Sequence, residues 1–485
     1  MFGYEPAMAT DFYQLTMAQA YLLSGREHEE ACFNLYFRKN PFQGGFALMS
    51  GHAQLALALK NYRFNTNQRD FLKKLTSSSG KPLFVPEFLD YLANLRLKLD
   101  IDLFEEGSVV FPFEPLVRVT GPIMHCQLIE TLLLNIINFN TLIATKAARV
   151  VLAAEGPVAE FGFRRAQGVA GALWASRAAC IGGCSSTSNV LAAHEFNLPV
   201  SGTHAHSWVM AFESELEAFR EYARLYPDDC TLLVDTYEVE QGIHNAITVG
   251  LELQRQGKSL RGIRIDSGDL AWIARFARTA LDEAGLSETK IIASNDLDEF
   301  TIHAIKEQGA PIDAWGVGTK LAIAEDQPSL GGVYKLAATR LSSKDAWQDR
   351  IKISEQTLKV SLPGHLGVRR YFHEDGRLAG DMVYDTQAGV GEQEIIVDPL
   401  DALRQKTLAG KESCEMLVHF MRKGVLCSEP GDFSVREGSA RAQTSLAELD
   451  ASQKRLMNPH SYPVGLEKSL HSRRQELLGR LRGVV

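Results

Sequence analysis

The middle of the chain carries a serial pattern. Between residues 157 and 321 a short β-rich apolar run, a polar or glycine-containing corner and a segment of helical periodicity follow one another repeatedly. Strand ends can be read at Glu160-Phe161, Gly182-Gly183, Gly202-Thr203, Val234-Asp235, Ile265-Asp266, Ala293-Ser294 and Trp315-Gly316. A helix is predicted after each. The clearest covers 270–284, where Leu270, Ile273, Ala274, Ala277 and Leu281 fall on one stripe. Strands that alternate with helices must each return to the same end, which predicts a parallel sheet, and a barrel or part of one is the natural closure.

The flanks read differently. Residues 1–145 mix an early helix, strands around 33–38 and 109–119, and a long helix over 123–152. Beyond 336 the pattern turns strand-like, at 358–362 and in a hairpin turning on Glu374-Asp375-Gly376. From about 400 a helical stretch with a charged end is predicted. The reading is an N-terminal α+β domain over 1–145, an α/β barrel over 146–336, and a C-terminal segment over 337–485 that packs on both.

Charge changes the picture by exclusion. With 51 Lys and Arg against 59 Asp and Glu, a net −8, the chain does not suit spreading cations over nucleic-acid phosphates. The most apolar stretch, 128–151, is interrupted by Glu130, Lys146 and Arg149, so no membrane span is expected. Glu5 and Pro6 stand where a secretory signal needs basic and then apolar residues, which predicts a cytoplasmic protein. The 7 cysteines are scattered without a CxxC pair, and Cys180 and Cys184 read as buried thiols.

Candidate chemistry gathers at the corners, because residues just after parallel strands converge at one rim, where ligands bind. Arg164 and Arg165 can grip a carboxylate or phosphate, or form surface ion pairs. Phe161 can stack on a planar ring or serve the core. Arg264-Ile-Asp266-Ser267-Gly268-Asp269 joins a cation to two carboxylates: it suits phosphate, ribose hydroxyls and magnesium, and equally a helix cap by Asp266 or Ser267. Gly316-Val-Gly318-Thr319 can bring backbone N–H groups to a phosphate, or be a plain tight turn. His204 and His206 form an H-x-H that can bind a metal, as in barrel hydrolases, or supply a nucleophilic imidazole. No histidines stand at the later corners, as a hydrolase would need.

Together these strings resemble the nicotinate phosphoribosyltransferase family. The matching pieces are Thr10-Asp-Phe-Tyr-Gln-Leu-Thr-Met17, Phe161-Gly-Phe-Arg-Arg-Ala-Gln167, Gly202-Thr-His-Ala-His206, Val234-Asp-Thr-Tyr237, Ile265-Asp-Ser-Gly-Asp269, Ala293-Ser-Asn-Asp296 and Gly316-Val-Gly-Thr319. They span 8 to about 336; the C-terminal third is similar only in general character. The resemblance implies a type II phosphoribosyltransferase fold, an incomplete parallel α/β barrel plus an α+β domain made by both chain ends, and a homodimer with shared active sites. Nicotinate would meet Tyr13 from the partner chain, Phe161, Arg164, Arg165 and Thr203. Phosphoribosyl pyrophosphate (PRPP) would meet Arg264, Asp266, Ser267, Gly268, Asp269, Asn295, Gly316, Gly318 and Thr319. His206, with Asp266 and Arg264, would be catalytic. It would also be phosphorylated by the co-substrate ATP, an assignment resting on the Gly-Thr-x-x-His spacing since His204 shares the motif. Mg2+ would arrive on pyrophosphate near Asp266 and Asp269, with no tightly bound metal. A nicotinamide-specific enzyme of the same fold and a barrel metallohydrolase using His204 and His206 are the rival readings. The Arg164-Arg165 pair favours an acid substrate over an amide.

Overall fold

The computed structural model describes residues 5–483; residues 1–4 and 484–485, the ends of the predicted terminal domains, lie outside the described residues. Two compact units emerge, 143–328 and the pair of segments 1–142 with 329–485.

In the central unit six strands, β1 (Val158–Glu160), β2 (Ser186–Thr187), β3 (Thr231–Leu233), β4 (Gly262–Ile265), β5 (Lys290–Asn295) and β6 (Ala314–Val317), form one sheet in the order β2-β1-β6-β5-β4-β3. Every pair is parallel. Apart from Ser186–Thr187 the strands are short, largely apolar runs with buried centres, and the corners that follow open into helices. Helix Leu270–Glu283 shows the logic. Its stripe of Leu270, Ile273, Ala274, Ala277 and Leu281 is buried, and Asp269 caps its start by accepting the Trp272 N–H at 3.0 Å.

Two strand readings change here. Gly182 and Gly183 do not end a strand but terminate helix Val169–Ile181. A Cβ on Gly182 would stand 2.4 Å from the Ala144 carbonyl oxygen, so its glycine serves a close helix contact. The run Ala-Ala-Cys-Ile mimics a strand because small apolar residues suit either period. At 200–203 the chain adds only a single bridge, Val200 to Thr187.

The unit of both chain ends holds a seven-stranded antiparallel sheet, built from Gln348–Asp349, Val333–Arg340, Glu30–Tyr36, Val117–Pro122, Asp100–Phe104, Leu417–Arg422 and Val425–Leu426. Residues 333–340 pair with 30–36, which ties them to the chain's start. The Glu374-Asp375-Gly376 hairpin forms between Leu366–Phe372 and Leu378–Asp385, with Gly376 at φ +80°. The predicted helical stretch after 400 is instead broken into short strands before helices Val435–Ala447 and Lys468–Arg482. Such strands exist through distant partners, as Leu417–Arg422 does through Asp100–Phe104, and leave little local signal. The predicted strand at 358–362 is a 3-10 turn, Thr357–Lys359, and the long helix is two, Ile123–Leu128 and Glu130–Ala154.

Helix Glu130–Ala154 is long and apolar enough by length and composition to cross a membrane, yet 78% of its most apolar window is buried within the protein. Lys146 and Arg149 explain why it carries cations. Both are buried and meet the buried Glu299, at 2.7 and 2.9 Å. Glu299 thus stands between two buried cations, and its carboxylate reaches both only in this packed arrangement.

Candidate functional site

The C-terminal ends of β1, β3, β4, β5 and β6 bring five corners together. Asp235, just beyond β3, accepts the Asp266 N–H at 3.0 Å and the Ser267 hydroxyl at 2.6 Å through Oδ2, which fixes the corner after β4. Asp266 in turn accepts from the Ser294 hydroxyl on β5. Its other oxygen stands 3.8 Å from His206 Nε2, while His206 Nδ1 lies 3.1 Å from the Thr236 hydroxyl. The side chains of His206 and Asp266 are 40% and 34% exposed, so the pair faces open space.

His204 behaves differently. Its Nε2 accepts the Leu233 backbone N–H at 3.2 Å, and the ring packs against Phe219 and Tyr222. Burial, chiefly, pushes its pKa down to about 4. A nitrogen occupied by a backbone donor is not free for a metal, so the two imidazoles do not act as a pair, and the metallohydrolase reading loses its ligands.

The stacking side of the site is set by glycines. A Cβ on Gly316 would lie 2.7 Å from two Phe161 ring carbons, and one on Gly162 would lie 2.3 Å from Ala322 Cβ. The Phe161 N–H donates to the Val317 carbonyl at 2.8 Å, seating the ring against β6. Gly318 sits at φ −110°, ψ −102°, opening the short helix Thr319–Ala322 beneath the Phe161 backbone. Arg164 and Arg165 stand exposed on the 3-10 turn Phe163–Arg165. Arg264 on β4 is half-buried. Burial lowers its pKa, Asp266 and Asp235 oppose the shift, and Arg164 adds to it, so these four charges share one field. Arg264 Nε and Asp235 Oδ1 are buried without a protein hydrogen-bond partner.

Phe161, Thr203 and Arg264 also line a cavity of about 820 Å3 that runs down the sheet to its other end, at Asp229, Arg261 and Lys290. Asn295, at the end of β5, has φ +142°, a backbone region reserved for glycine unless the surroundings enforce it. Gly268 has φ +80°. Thus Phe161, Arg164, Thr203, His206, Arg264, Asp266, Ser267, Asn295, Gly316, Gly318 and Thr319 fall on neighbouring corners. Asp269 does so too, but one of its carboxylate oxygens is spent on the helix cap, which neither Asp266 nor Ser267 supplies. Tyr13 belongs to the other unit, where it is 47% exposed on helix Phe12–Leu23. Its neighbour Gln14 is buried and explains the motif locally: it donates to Glu130 at 2.9 Å and accepts from Gln127 at 2.7 Å.

Sequence reading passed over three groups. Asp235 and Thr236 were visible in their motif but not as site residues. Glu160 is buried at the end of β1 and accepts from the Gly162 N–H, from Ser176 Oγ at 2.7 Å and from Thr187 Oγ1 at 2.6 Å. A lone Glu before Phe-Gly in an apolar strand was its only signal. In the other unit Lys335 is half-buried, with its pKa lowered mainly by burial and further by Lys352 and Arg38, while Asn34 has both amide atoms buried without a partner.

Comparison with known proteins finds similarity along most of the chain. Residues 8–138, 157–346 and 367–474 match the family models described as the nicotinate phosphoribosyltransferase N-terminal domain, the nicotinate phosphoribosyltransferase family and its C-terminal domain. The likeness therefore extends well beyond 336. A nicotinate phosphoribosyltransferase of Bacillus subtilis (strain 168) is 40% identical over 475 residues, covering 97% of this chain and 94% of that protein. One of Caenorhabditis elegans is 33% identical, covering 96% and 92%. The crystal structure of human nicotinic acid phosphoribosyltransferase superposes with a TM-score of 0.83 at 31% identity, over 96% of this chain and 99% of that one. By corner motifs, sheet order and full-length similarity alike, the chain belongs to the nicotinate phosphoribosyltransferase family.

Proposed function

We propose that this protein joins nicotinate to the ribose of PRPP, giving nicotinate mononucleotide and pyrophosphate, in the salvage branch of NAD biosynthesis. One observation carries the reading: Arg264, Asp266 and His206 gather on linked corners, with Phe161 and Arg264 on the wall of an adjoining cavity. The pyridine ring lies on Phe161, with its carboxylate toward Arg164 and Arg165. The sugar phosphates take the Arg264–Asp269 corner and the Gly316–Thr319 turn. The C1′–oxygen bond to pyrophosphate breaks as positive charge develops on the ribose, and the pyridine nitrogen lone pair closes the new C1′–N bond. The protein positions and neutralises; it makes no bond of its own in this step. Asp266 and Asp269 would offer hard carboxylate oxygens to a magnesium ion carried by pyrophosphate, which would supply neutralising charge to the leaving group.

ATP enters the same proposal as a co-substrate that phosphorylates His206. Asp266 at 3.8 Å from Nε2 and the Thr236 hydroxyl at 3.1 Å from Nδ1 orient the ring; a ring nitrogen bonds the γ-phosphorus as the latter's bond to the β-phosphate oxygen breaks, and ADP leaves. We further read the sheet as an incomplete barrel and the protein as a cytoplasmic homodimer in which each chain lends Tyr13 to its partner's site. The exposed Tyr13 ring supports that reading, as a side chain open to a second chain. Incubation with nicotinate, PRPP, magnesium and ATP, followed by separation of nucleotides, tests the activity. Nicotinate mononucleotide is the expected product, and a preference for nicotinamide in the parallel reaction would move the chain to the amide-specific enzyme of the same fold.

A further inference from the structure

Asn295 holds its glycine-like backbone between two anchors. On one side Ser294 is bound to Asp266. On the other, Asp298 caps helix Glu299–Glu307 by accepting the Thr301 N–H through Oδ1 at 2.7 Å, and its Oδ2 meets Lys320 Nζ at 3.0 Å. Lys320 is the residue directly after Thr319, so this contact joins the corner after β5 to the corner after β6. The two strands are neighbours, with Asn295 opposite Val317. Glu325 and Asp296 flank the same ammonium at 3.6 and 3.9 Å. The lysine side chain is 20% and the Asp298 side chain 10% exposed, so water screens the contact only in part.

An off-region backbone such as that of Asn295 costs on the order of 1–3 kcal/mol and persists only where its surroundings over-determine it. The Lys320–Asp298 contact is the anchor that couples this backbone to the turn at Gly318 and Thr319. We propose that Lys320 is a positioning residue for the sugar phosphate: through Asp298 it holds the Asn295 and Gly318–Thr319 corners at one spacing, so that both meet the same ligand. This rests on the reading of these corners as the PRPP site. Lys320 itself need not touch the ligand, since three carboxylates already hold its charge.

The test uses steady-state kinetics of the full-length protein with each substrate varied in turn. Lys320→Met and Asp298→Asn should both raise the KM for PRPP by about tenfold, as expected for loss of a partly buried charged contact, and leave the KM for nicotinate within about twofold. Asn at 298 still caps the helix, so a general folding defect is separated from loss of the charge pair. Lys320→Arg should restore the KM for PRPP. An unchanged KM for PRPP in both variants overturns the inference. So does a parallel rise for both substrates, or failure of arginine to rescue while melting temperatures match wild type. Wild-type protein that makes no nicotinate mononucleotide would instead overturn the functional reading beneath it.

Discussion

An imidazole whose ring nitrogen accepts a backbone N–H cannot take a proton there without breaking that bond. His204 is held in this way by Leu233, and its pKa of about 4 lies below the roughly 6.5 of an unfolded histidine. Between those values the unfolded chain binds more protons than the folded one, so stability falls as pH drops from about 6.5 toward 4. His125 and His365 share the direction, also at about 4 by burial. Melting temperatures across this range should therefore decline steeply in wild type. His204→Gln, whose amide oxygen can accept the same N–H without titrating, should lessen the decline; an identical slope in the variant would show that this ring is not a buried neutral acceptor. His206 has the opposite character, open and beside a carboxylate. Acid-labile label from γ-labelled ATP should vanish in His206→Ala, and label that survives there but is lost in His204→Gln would reverse the assignment.

At the scale of single elements, β6 is shaped by what it lacks. Its Gly316 leaves room for the Phe161 ring, and a methyl group at 2.7 Å forces that ring to move. Gly316→Ala should raise the KM for nicotinate at least tenfold, with about 1–3 kcal/mol lost in stability by denaturant melts. A KM that does not move would mean that the ring is not part of the pyridine site. Five of the parallel strands were legible in sequence because each is a largely apolar run closed by a polar corner, and their corner residues could be named for the same reason; Ser186–Thr187, short and polar, was not. Gly182-Gly183 misled because glycines punctuate helix contacts as well as strand ends. The strands after 400 were hidden because most are only two to four residues long, and the longest, Leu417–Arg422, pairs with Asp100–Phe104 more than 300 residues away. Asp235, Thr236 and Glu160 escaped notice since their work, holding Asp266, His206 and Gly162, depends on which corners become neighbours, and no local pattern encodes that.

For the whole molecule the distinguishing expectation concerns how two chains share a site. Co-expression of Tyr13→Ala with His206→Ala should recover about a quarter of wild-type activity if each site takes its tyrosine from the partner, because about half the dimers are mixed and each mixed dimer holds one intact site. Either variant alone should be nearly inactive, and no recovery on mixing would place Tyr13 in the same chain's site. The buried trio of Lys146, Arg149 and Glu299 bears on something else, the order in which the polypeptide is made. Glu299 leaves the ribosome 150 residues after Arg149, roughly 8–30 s later at ordinary rates of synthesis. Until then the most apolar helix of the protein lacks the carboxylate that both cations meet in the finished fold. This contact is thus among those the newborn chain makes late, and the finished protein owes part of its central packing to a late arrival.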